Sequence, residues 1–427
     1  MNSRTQIVDR IAATAHPEEG QLPAFVLTDP EVYQLELETI FQKAWLFVAH
    51  ESEIPEKGDY VAREMGEQPV IVVRSEDGQI RVLLNVCRHR GMRIVRTDLG
   101  KTSHFRCPYH GFTYASDGRL TGVPYQRDAY GGALDKSTMG LYQARAETYK
   151  GLIFATWNHD GPSLDEFLGG MRWYLDILVG RTEMLVVGPP QKWTVPSAWK
   201  FPAENFVSDA YHTANTHASI AELYQTNPDF GKIGYHVNAG NGHGLGIGTQ
   251  DDGPPFPPEL GEQFKQHLSA DQFELLSHIR NFHGNVFPNL SFLIPTLPRM
   301  EGNAITSTTI RQWQPCGPRH IAVYSWCLVE KDSPTWWKDL SRQAYIQTFG
   351  TSGIFEQDDT ENWEFQTRNA EALLARDSDF MLNMTMGSER EPIHDFPGPG
   401  EVYDMKYLEA NARAFYGEWR KYVLAGS

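Results

Sequence analysis

Two short pairs of metal-ligating residues stand out in this chain of 427 residues. Cys87 and His89 form the first pair, and Cys107 and His110 form the second after an interval of seventeen residues. Thiolate sulfur combined with imidazole nitrogen suits either zinc or an iron-sulfur centre. Two histidines in place of two cysteines on one iron raise the potential of a [2Fe-2S] cluster from about −400 mV to about −150 to +300 mV. The pairs therefore indicate a one-electron carrier or a structural zinc site.

A second set of candidate ligands lies near the middle of the chain, where Glu204, Asp209, His212 and His217 fall in one short stretch. Two imidazoles and one carboxylate on one face of a ferrous ion leave positions open for O2 and substrate. On a regular α-helix, histidines five residues apart would point about 140° apart. Chelation by His212 and His217 therefore predicts a break or a π-bulge between them.

The carboxylate of this second site has further candidates in an acidic run near residue 359. Glu356, Asp358, Asp359 and Glu361 lie there between aromatic and aliphatic residues. A carboxylate in apolar surroundings is costly unless it is paired or bound to a metal. Position alone does not choose among the four.

The elements around the first two pairs predict a small antiparallel β domain. Apolar positions at helical spacing after an Asp-Pro start predict a helix over residues 29–49. Short β-rich runs follow at residues 60–63, 69–74 and 80–86, separated by Gly and Asp turn residues. The last run leads directly into Cys87, so loops held by strands would carry the cluster near the surface.

The remainder of the chain predicts a larger α+β domain. A helix is expected over residues 164–179, and strands over 305–313 and 320–329. Residues 251–258 are rich in proline and predict a surface loop. The glycines of residues 240–248 stand at every second position, which does not fit a dinucleotide-binding fingerprint.

The composition excludes some kinds of binding partner and predicts a cellular compartment. The net charge of −16, without a basic run, argues against nucleic-acid and anionic-membrane surfaces. No stretch has the length of a membrane span, and the N-terminal residues lack the apolar core of a signal peptide. Apart from the two proposed cluster ligands, the cysteines are Cys316 and Cys327, which predicts a reducing compartment, the cytoplasm. His104 falls outside both ligand pairs and is interpreted as a surface residue.

The sequences around the two pairs resemble the Rieske [2Fe-2S] motif. These are Cys87-Arg-His-Arg-Gly91 and Cys107-Pro-Tyr-His-Gly-Phe-Thr-Tyr114. A zinc ribbon or finger usually uses Cys-x2-Cys or His-x3-His pairs, and neither arrangement occurs here. With the second ligand set following in this order, nearly the whole chain resembles the large (α) subunit of Rieske non-haem iron ring-hydroxylating oxygenases, the group of naphthalene and biphenyl dioxygenases.

The resemblance implies a fold and a set of site residues. It implies an α+β chain with an N-terminal segment (residues 1–41) packed with the catalytic domain, an antiparallel β Rieske domain (42–160) and a helix-grip catalytic domain (161–427). The [2Fe-2S] ligands would be Cys87, His89, Cys107 and His110, and the mononuclear Fe(II) ligands His212, His217 and Asp359. Asp209 matches the aspartate that connects the two centres. The implied pocket residues are Asn205, Phe206, Leu293, Phe349 and Phe355.

The resemblance also implies a reaction and partners. The reaction is cis-dihydroxylation of a polycyclic or biphenyl-type hydrocarbon by a terminal oxygenase. Because the chain has no flavin or nicotinamide fingerprint, a separate ferredoxin or reductase would supply the electrons. The assembly would be a trimer, alone or with a small β subunit (α3 or α3β3), in which His110 approaches Asp209 of the partner subunit.

Three alternatives remain. The enzyme could hydroxylate an aromatic acid such as salicylate or anthranilate, in which case Arg299 or Arg311 would pair with the substrate carboxylate. A pure electron carrier would not explain the second ligand set. A zinc-stabilised binding module would contain no iron.

Overall fold

The computed structural model describes residues 3–223, 232–251, 253–297, 304–377 and 380–425. The chain forms two compact units: a smaller unit, Phe41–Leu164, and a larger unit that combines Met1–Ile40 with Asp165–Ser427. Among the described residues, no helix combines the length and the apolar character that crossing a membrane requires.

The smaller unit consists of two antiparallel sheets. In spatial order, the strands of the seven-stranded sheet are Leu46–His50, Leu152–Thr156, Gln143–Tyr149, Ile80–Leu84, Gln68–Arg74, Asp59–Met65 and Leu99–Lys101. The three-stranded sheet contains His104–Arg106, Thr113–Ala115 and Leu120–Gly122, and a short helix spans Gln126–Tyr130. The three strands predicted before Cys87 are present, and His104 is exposed, as predicted.

The helix predicted over residues 29–49 is only partly correct. The helix is Pro30–Thr39, and the side chain of Asp29 caps it by accepting hydrogen bonds from the backbone N–H groups of Glu31 and Val32. The prediction is wrong for the following segment, because Leu46–His50 is a strand paired with Leu152–Thr156. Every residue of this strand is buried, and a short, continuously buried run has no periodicity that separates strand from helix.

A long antiparallel sheet dominates the larger unit. Its strands run in the spatial order Met184–Val186, Ile321–Glu330, Thr308–Pro315, Leu290–Leu297, Ile279–Val286, His243–Thr249, Gly234–Gly240 and Glu401–Tyr403. Gln191–Val195 also pairs with Ile321–Glu330, and Ile305–Thr306 pairs with Leu290–Leu297. A separate two-stranded sheet joins Gln21–Pro23 to Met381–Asn383. The strands predicted over 305–313 and 320–329 are therefore confirmed, and residues 240–248 belong to a β-hairpin.

Helices pack around this sheet. Those of eight residues or more are Ser3–Thr14, Pro30–Thr39, Lys200–Ser208, Pro258–His267, Ala270–His278, Thr335–Phe349, Ile354–Ala370 and Ala410–Leu424. The shorter α-helices are Phe25–Thr28, Leu164–Leu168, Met171–Leu175, Thr213–Thr216, Ala218–Leu223 and Leu373–Asp377, and Asp176–Gly180 is a π-helical turn. The helix predicted over 164–179 is thus present in pieces. Of the predicted loop at 251–258, residues 253–257 have no regular structure, Pro258 begins a helix, and Asp252 lies outside the described residues.

A buried carboxylate fixes the helix Pro30–Thr39 within the larger unit. The side chain of Glu36 is fully buried and forms an ion pair with Lys200, which is itself buried. The indole N–H groups of Trp199 and Trp419 donate to the same carboxylate at 2.9 and 2.7 Å. Glu36 therefore connects Pro30–Thr39 to Lys200–Ser208, the helix that precedes His212.

Substitution of Glu36 by alanine is expected to lower the free energy of unfolding by about 3–5 kcal/mol, because it leaves the Lys200 charge buried without a partner. Urea denaturation monitored by tryptophan fluorescence measures the change. Glu38→Ala is the matched control, since its ion pair with Arg4 is more than one-third exposed and contributes less than about 1 kcal/mol. Equal shifts for the two variants would contradict this assignment.

Candidate metal centres and substrate pocket

Two similar turns present the cysteine and histidine pairs of the smaller unit. The backbone N–H of Gly91 donates to the carbonyl of Cys87 at 2.9 Å, and that of Gly111 donates to the carbonyl of Cys107 at 3.0 Å. Both glycines have left-handed backbone conformations, with φ values of +72° and +74°, which a residue with a side chain adopts at a cost. The same turn therefore occurs twice: each copy begins at a cysteine and closes at the glycine four residues later.

The four side chains of these turns meet. Cys87 and Cys107 are buried in the same cluster of side chains, and the ring centroids of His89 and His110 lie 4.5 Å apart. The Nδ1 atom of His89 is buried without a hydrogen-bond partner in the described part of the chain. Such an orphaned nitrogen beside two thiols fits a metal ligand, because an unpaired buried polar atom is otherwise costly. The residues present fit a [2Fe-2S] cluster with two cysteines inside and two histidines toward the surface.

Tyr114 is a residue near this cluster site whose role the sequence did not reveal. Its hydroxyl lies 3.3 Å from Cys87 Sγ and accepts a hydrogen bond of 3.0 Å from the backbone N–H of Arg88. Hydrogen bonds to ligand sulfurs are among the features that set cluster potentials. The tyrosine stands within the quoted motif, but only the fold shows that its hydroxyl reaches back to the other turn.

Three ligand atoms of the larger unit converge on one point. Asp359 Oδ1 lies 3.3 Å from the Nε2 atoms of both His212 and His217, and the three ligand atoms all lie within 4.8 Å of one another. Ligand atoms that bind one ion at about 2.1 Å are separated from one another by distances comparable to those between these three atoms. Asp359 Oδ1 is buried and accepts no hydrogen bond from the described residues. The arrangement therefore fits a ferrous ion bound on one face by two histidines and a carboxylate.

The break predicted between the two histidines is present. The helix Thr213–Thr216 follows His212 and ends at His217, whose φ and ψ are −101° and 23°, and a new helix begins at Ala218. This interruption turns the His217 ring so that its centroid lies 5.2 Å from that of His212. A regular helix would have directed the two rings to different faces.

The structure assigns the four carboxylates of the acidic run to different environments. Asp359 joins the histidines, whereas Glu356 forms a buried ion pair with Arg311, and Glu361 is exposed. Asp358 Oδ2 lies 3.2 Å from His217 Nδ1, on the side of the ring opposite to the converging Nε2. Glu204 is not part of the converging group, and burial together with the nearby Asp209 raises its pKa to about 8.

Substitution of Asp358 by alanine is expected to weaken iron binding by about 10- to 100-fold, the usual effect of removing a group that orients a metal-ligating histidine. Equilibrium dialysis against a competing chelator measures the iron affinity. Asp358→Asn is the informative companion variant, because it keeps a polar group beside Nδ1 and should lose less. An unchanged affinity in Asp358→Ala would show that the 3.2 Å contact does not orient His217.

Asp209 connects to His212 through its backbone and its side chain. The Nδ1 atom of His212 contacts the carbonyl oxygen of Asp209, and Asp209 Oδ1 accepts the backbone N–H of His212 at 3.1 Å. Burial acts to lower the pKa of His212, but the carboxylates of Asp209 and Asp359 outweigh it and hold that pKa well above its ordinary value. The pair of carboxylates therefore makes this position strongly attractive to a cation.

A mostly apolar cavity opens beside the three converging ligands. All five pocket residues implied by the resemblance line it: Asn205, Phe206, Leu293, Phe349 and Phe355. The rings of Phe349 and Phe355 are stacked, with centroids 5.0 Å apart and planes 15° apart. Further lining residues that the sequence did not indicate include Ile220, Asn281, His283 and Lys406, which come from segments far apart in the chain.

Arg311, one of the two arginines suggested for an aromatic acid, does not provide the required pairing. Arg311 is fully buried, forms an ion pair with Glu356 and donates to the carbonyl oxygen of Phe349 at 2.7 Å. Its guanidinium lies 5.3 Å from the ring centroids of both Phe206 and Phe349, so it supports the pocket wall from behind. Arg299 lies outside the described residues.

Comparison with known proteins identifies both units. Residues 44–141 match the model of the Rieske [2Fe-2S] domain, and residues 164–425 match that of the ring hydroxylating alpha subunit (catalytic domain). The chain belongs to the ring-hydroxylating alpha subunits. It is therefore an oxygenase subunit whose Rieske domain carries a [2Fe-2S] cluster and whose catalytic domain carries a mononuclear iron.

Individual relatives of this alpha subunit cover nearly its whole length. It is 38% identical to the biphenyl 2,3-dioxygenase subunit alpha of Rhodococcus jostii, over 96% of this chain and 90% of the relative. It is 37% identical to the N,N-dimethyl phenylurea N-demethylase subunit alpha of a Sphingobium species, over 95% of this chain and 92% of that relative.

The fold resembles a solved dioxygenase. The crystal structure of naphthalene 1,2-dioxygenase from a Rhodococcus species, bound to indole, matches with a TM-score of 0.92 and 43% identity, covering 99% of this chain and 98% of that one. The predicted fold class, a Rieske domain followed by a helix-grip catalytic domain in an α+β chain, is confirmed.

Proposed function

We propose that this alpha subunit cis-dihydroxylates an aromatic hydrocarbon of the polycyclic or biphenyl type at an iron held by His212, His217 and Asp359. The observation that carries the proposal is the position of the stacked Phe349 and Phe355 rings in the same cavity as the three ligands. Flat apolar walls fit a flat apolar substrate, because burial of both surfaces is favourable. The aromatic dioxygenases among the relatives support this substrate class.

The chain's own residues bind and orient the ring. Phe206, Phe349 and Phe355 would hold it by apolar contact. The cavity that they line is also lined by the three ligands of the iron site. Arg311 would keep the rings of Phe206 and Phe349 in place through the contacts of its guanidinium with both. Bound iron would supply O2 activation, for which the protein contributes open coordination positions and an apolar surrounding.

We further propose partners and a compartment. As an alpha subunit of a multi-component oxygenase, the protein takes electrons from a ferredoxin or a reductase. Its assembly would be a trimer, with or without a small β subunit, in which His110 meets Asp209 of the partner subunit. The side chain of Asp209 is 35% exposed and touches His212, which suits a residue that connects two centres. Four cysteines, none in a disulfide, agree with the cytoplasm.

A single turnover of reduced, iron-loaded protein under O2 tests the proposed reaction. The panel contains naphthalene, biphenyl, phenanthrene, salicylate, anthranilate and an N,N-dimethyl phenylurea, and mass spectrometry identifies the products. A hydrocarbon product that gains two oxygen and two hydrogen atoms is expected. A hydroxylated acid or a demethylated urea, with the hydrocarbons unchanged, would contradict the proposal.

A further inference from the structure

The alternating glycines of the sequence lie beside one wall of the pocket. In the strand His243–Thr249, Gly246 and Gly248 pair with His283 and Asn281 of the neighbouring strand Ile279–Val286. A Cβ atom on Gly246 would lie 2.3 Å from His283 Nε2, and one on Gly248 would lie 2.6 Å from Asn281 Oδ1. The glycines therefore leave the space that these two side chains fill, and both side chains line the pocket.

A buried amine completes this polar wall. Lys406 is 2% exposed, lines the pocket and donates from Nζ to Asn281 Oδ1 at 2.7 Å. Among the described residues, no carboxylate oxygen lies within 4.0 Å of it, and its charged neighbour is another cation, Arg280. Burial, reinforced by Arg280, lowers the pKa of Lys406 to about 7.

The other N–H donors of the Lys406 amine have no hydrogen-bond acceptor among the described residues. A lysine amine offers more than one N–H donor, and the hydrogen bond to Asn281 uses one. An unsubstituted hydrocarbon fits the apolar walls but leaves the other donors without an acceptor, so a ring that carries an acceptor oxygen should bind more tightly. His283 does not satisfy them, because its Nδ1 donates to the carbonyl of Phe206 at 3.0 Å and its Nε2 faces Gly246.

We propose that Lys406 is a specificity-determining residue that donates a hydrogen bond to a neutral oxygen substituent of the aromatic substrate, a ketone, ether or phenol oxygen. This inference rests on the proposed function, since it assumes that the aromatic ring occupies the pocket beside Phe349 and Phe355. The stacked rings would hold the apolar part, and Lys406 would fix which edge of the ring faces the polar wall. It thereby selects both the substrate and the orientation in which it binds.

Equilibrium binding to the anaerobic holoenzyme tests the inference without turnover. The two probes are fluorene and 9-fluorenone, which differ by one acceptor oxygen on the same ring frame. The wild type is expected to bind the ketone more tightly, and Lys406→Met to lose that preference by about five- to tenfold, the effect of one hydrogen bond. Lys406→Gln keeps a donor and should retain part of the preference. Lys265→Met, at an exposed helix position, is the control.

Several results would overturn the inference. These are equal affinities in the wild type, a preference that survives in Lys406→Met, a loss in Lys406→Gln as large as in Lys406→Met, or a preference for fluorene-1-carboxylate over the ketone. Oxidation of naphthalene by the wild type is measured in parallel. Naphthalene oxidation without the ketone preference defeats this inference alone, whereas no oxidation of any hydrocarbon defeats the proposed function.

Discussion

Substitution of Asp359 by alanine is expected to remove the mononuclear iron and to abolish oxygenation while the [2Fe-2S] cluster remains intact. Asp359 Oδ1 is the atom that both imidazole Nε2 atoms face, so its loss leaves two ligands and a less attractive charge environment for a cation. We expect a fall in iron affinity of at least about 100-fold, above the usual effect of residues that only orient ligands. Metal analysis after gel filtration measures the bound iron.

The control for this variant is Glu361→Ala. Glu361 lies two residues further along the same helix, Ile354–Ala370, and is exposed. Its substitution should leave iron content and product yield near those of the wild type. Retention of iron and activity in Asp359→Ala would show that another carboxylate completes the site, and Asp358 would then be the next variant to test.

Substitution of Cys107 by serine is expected to remove the [2Fe-2S] cluster and so to end electron delivery to the catalytic iron. Cys107 is 2% exposed and lies beside Cys87 in the smaller unit, where serine would replace a soft thiolate with a poor ligand for iron. The visible absorption and the electron paramagnetic resonance signal of the reduced cluster should both disappear. Product formation should fall to background, while the catalytic iron stays bound.

Cys316→Ser separates loss of the cluster from loss of a cysteine in general. Cys316 is exposed and lies in the larger unit, so its replacement should leave the cluster spectrum unchanged. If Cys107→Ser kept a Rieske-type spectrum, the ligand set proposed for the cluster would be wrong. Circular dichroism of Cys107→Ser shows whether the variant is still folded, so that loss of the cluster is distinguished from unfolding.

The parts of the sites that are local in sequence could be predicted from the sequence. Each cysteine and histidine pair of the cluster lies in a single turn, so the spacing of the residues determines which ligands can meet. The same holds for His212 and His217, whose five-residue separation predicted the interruption found at His217. Such predictions succeed because a short segment has few conformations that bring its own ligands together.

The parts that depend on long-range packing could not be predicted from the residue pattern alone, and only the family resemblance singled out Asp359. Nothing in the acidic run distinguishes Glu356 from Asp359, because the distinction arises from Arg311 on a strand some 45 residues earlier. Lys406 reaches the pocket through Asn281, 125 residues away in sequence. The error over Leu46–His50 has the same origin, since pairing with Leu152–Thr156 makes this buried run a strand.

Dihydroxylation at this iron site is tested most directly by a single turnover of the reduced holoenzyme with naphthalene under 18O-labelled O2, compared between the wild type and Asp359→Ala. We expect a cis-dihydrodiol that carries two labelled oxygen atoms in the wild type and no product in the variant. A product with one labelled oxygen, or equal product from the two proteins, would contradict dihydroxylation at the iron site formed by His212, His217 and Asp359.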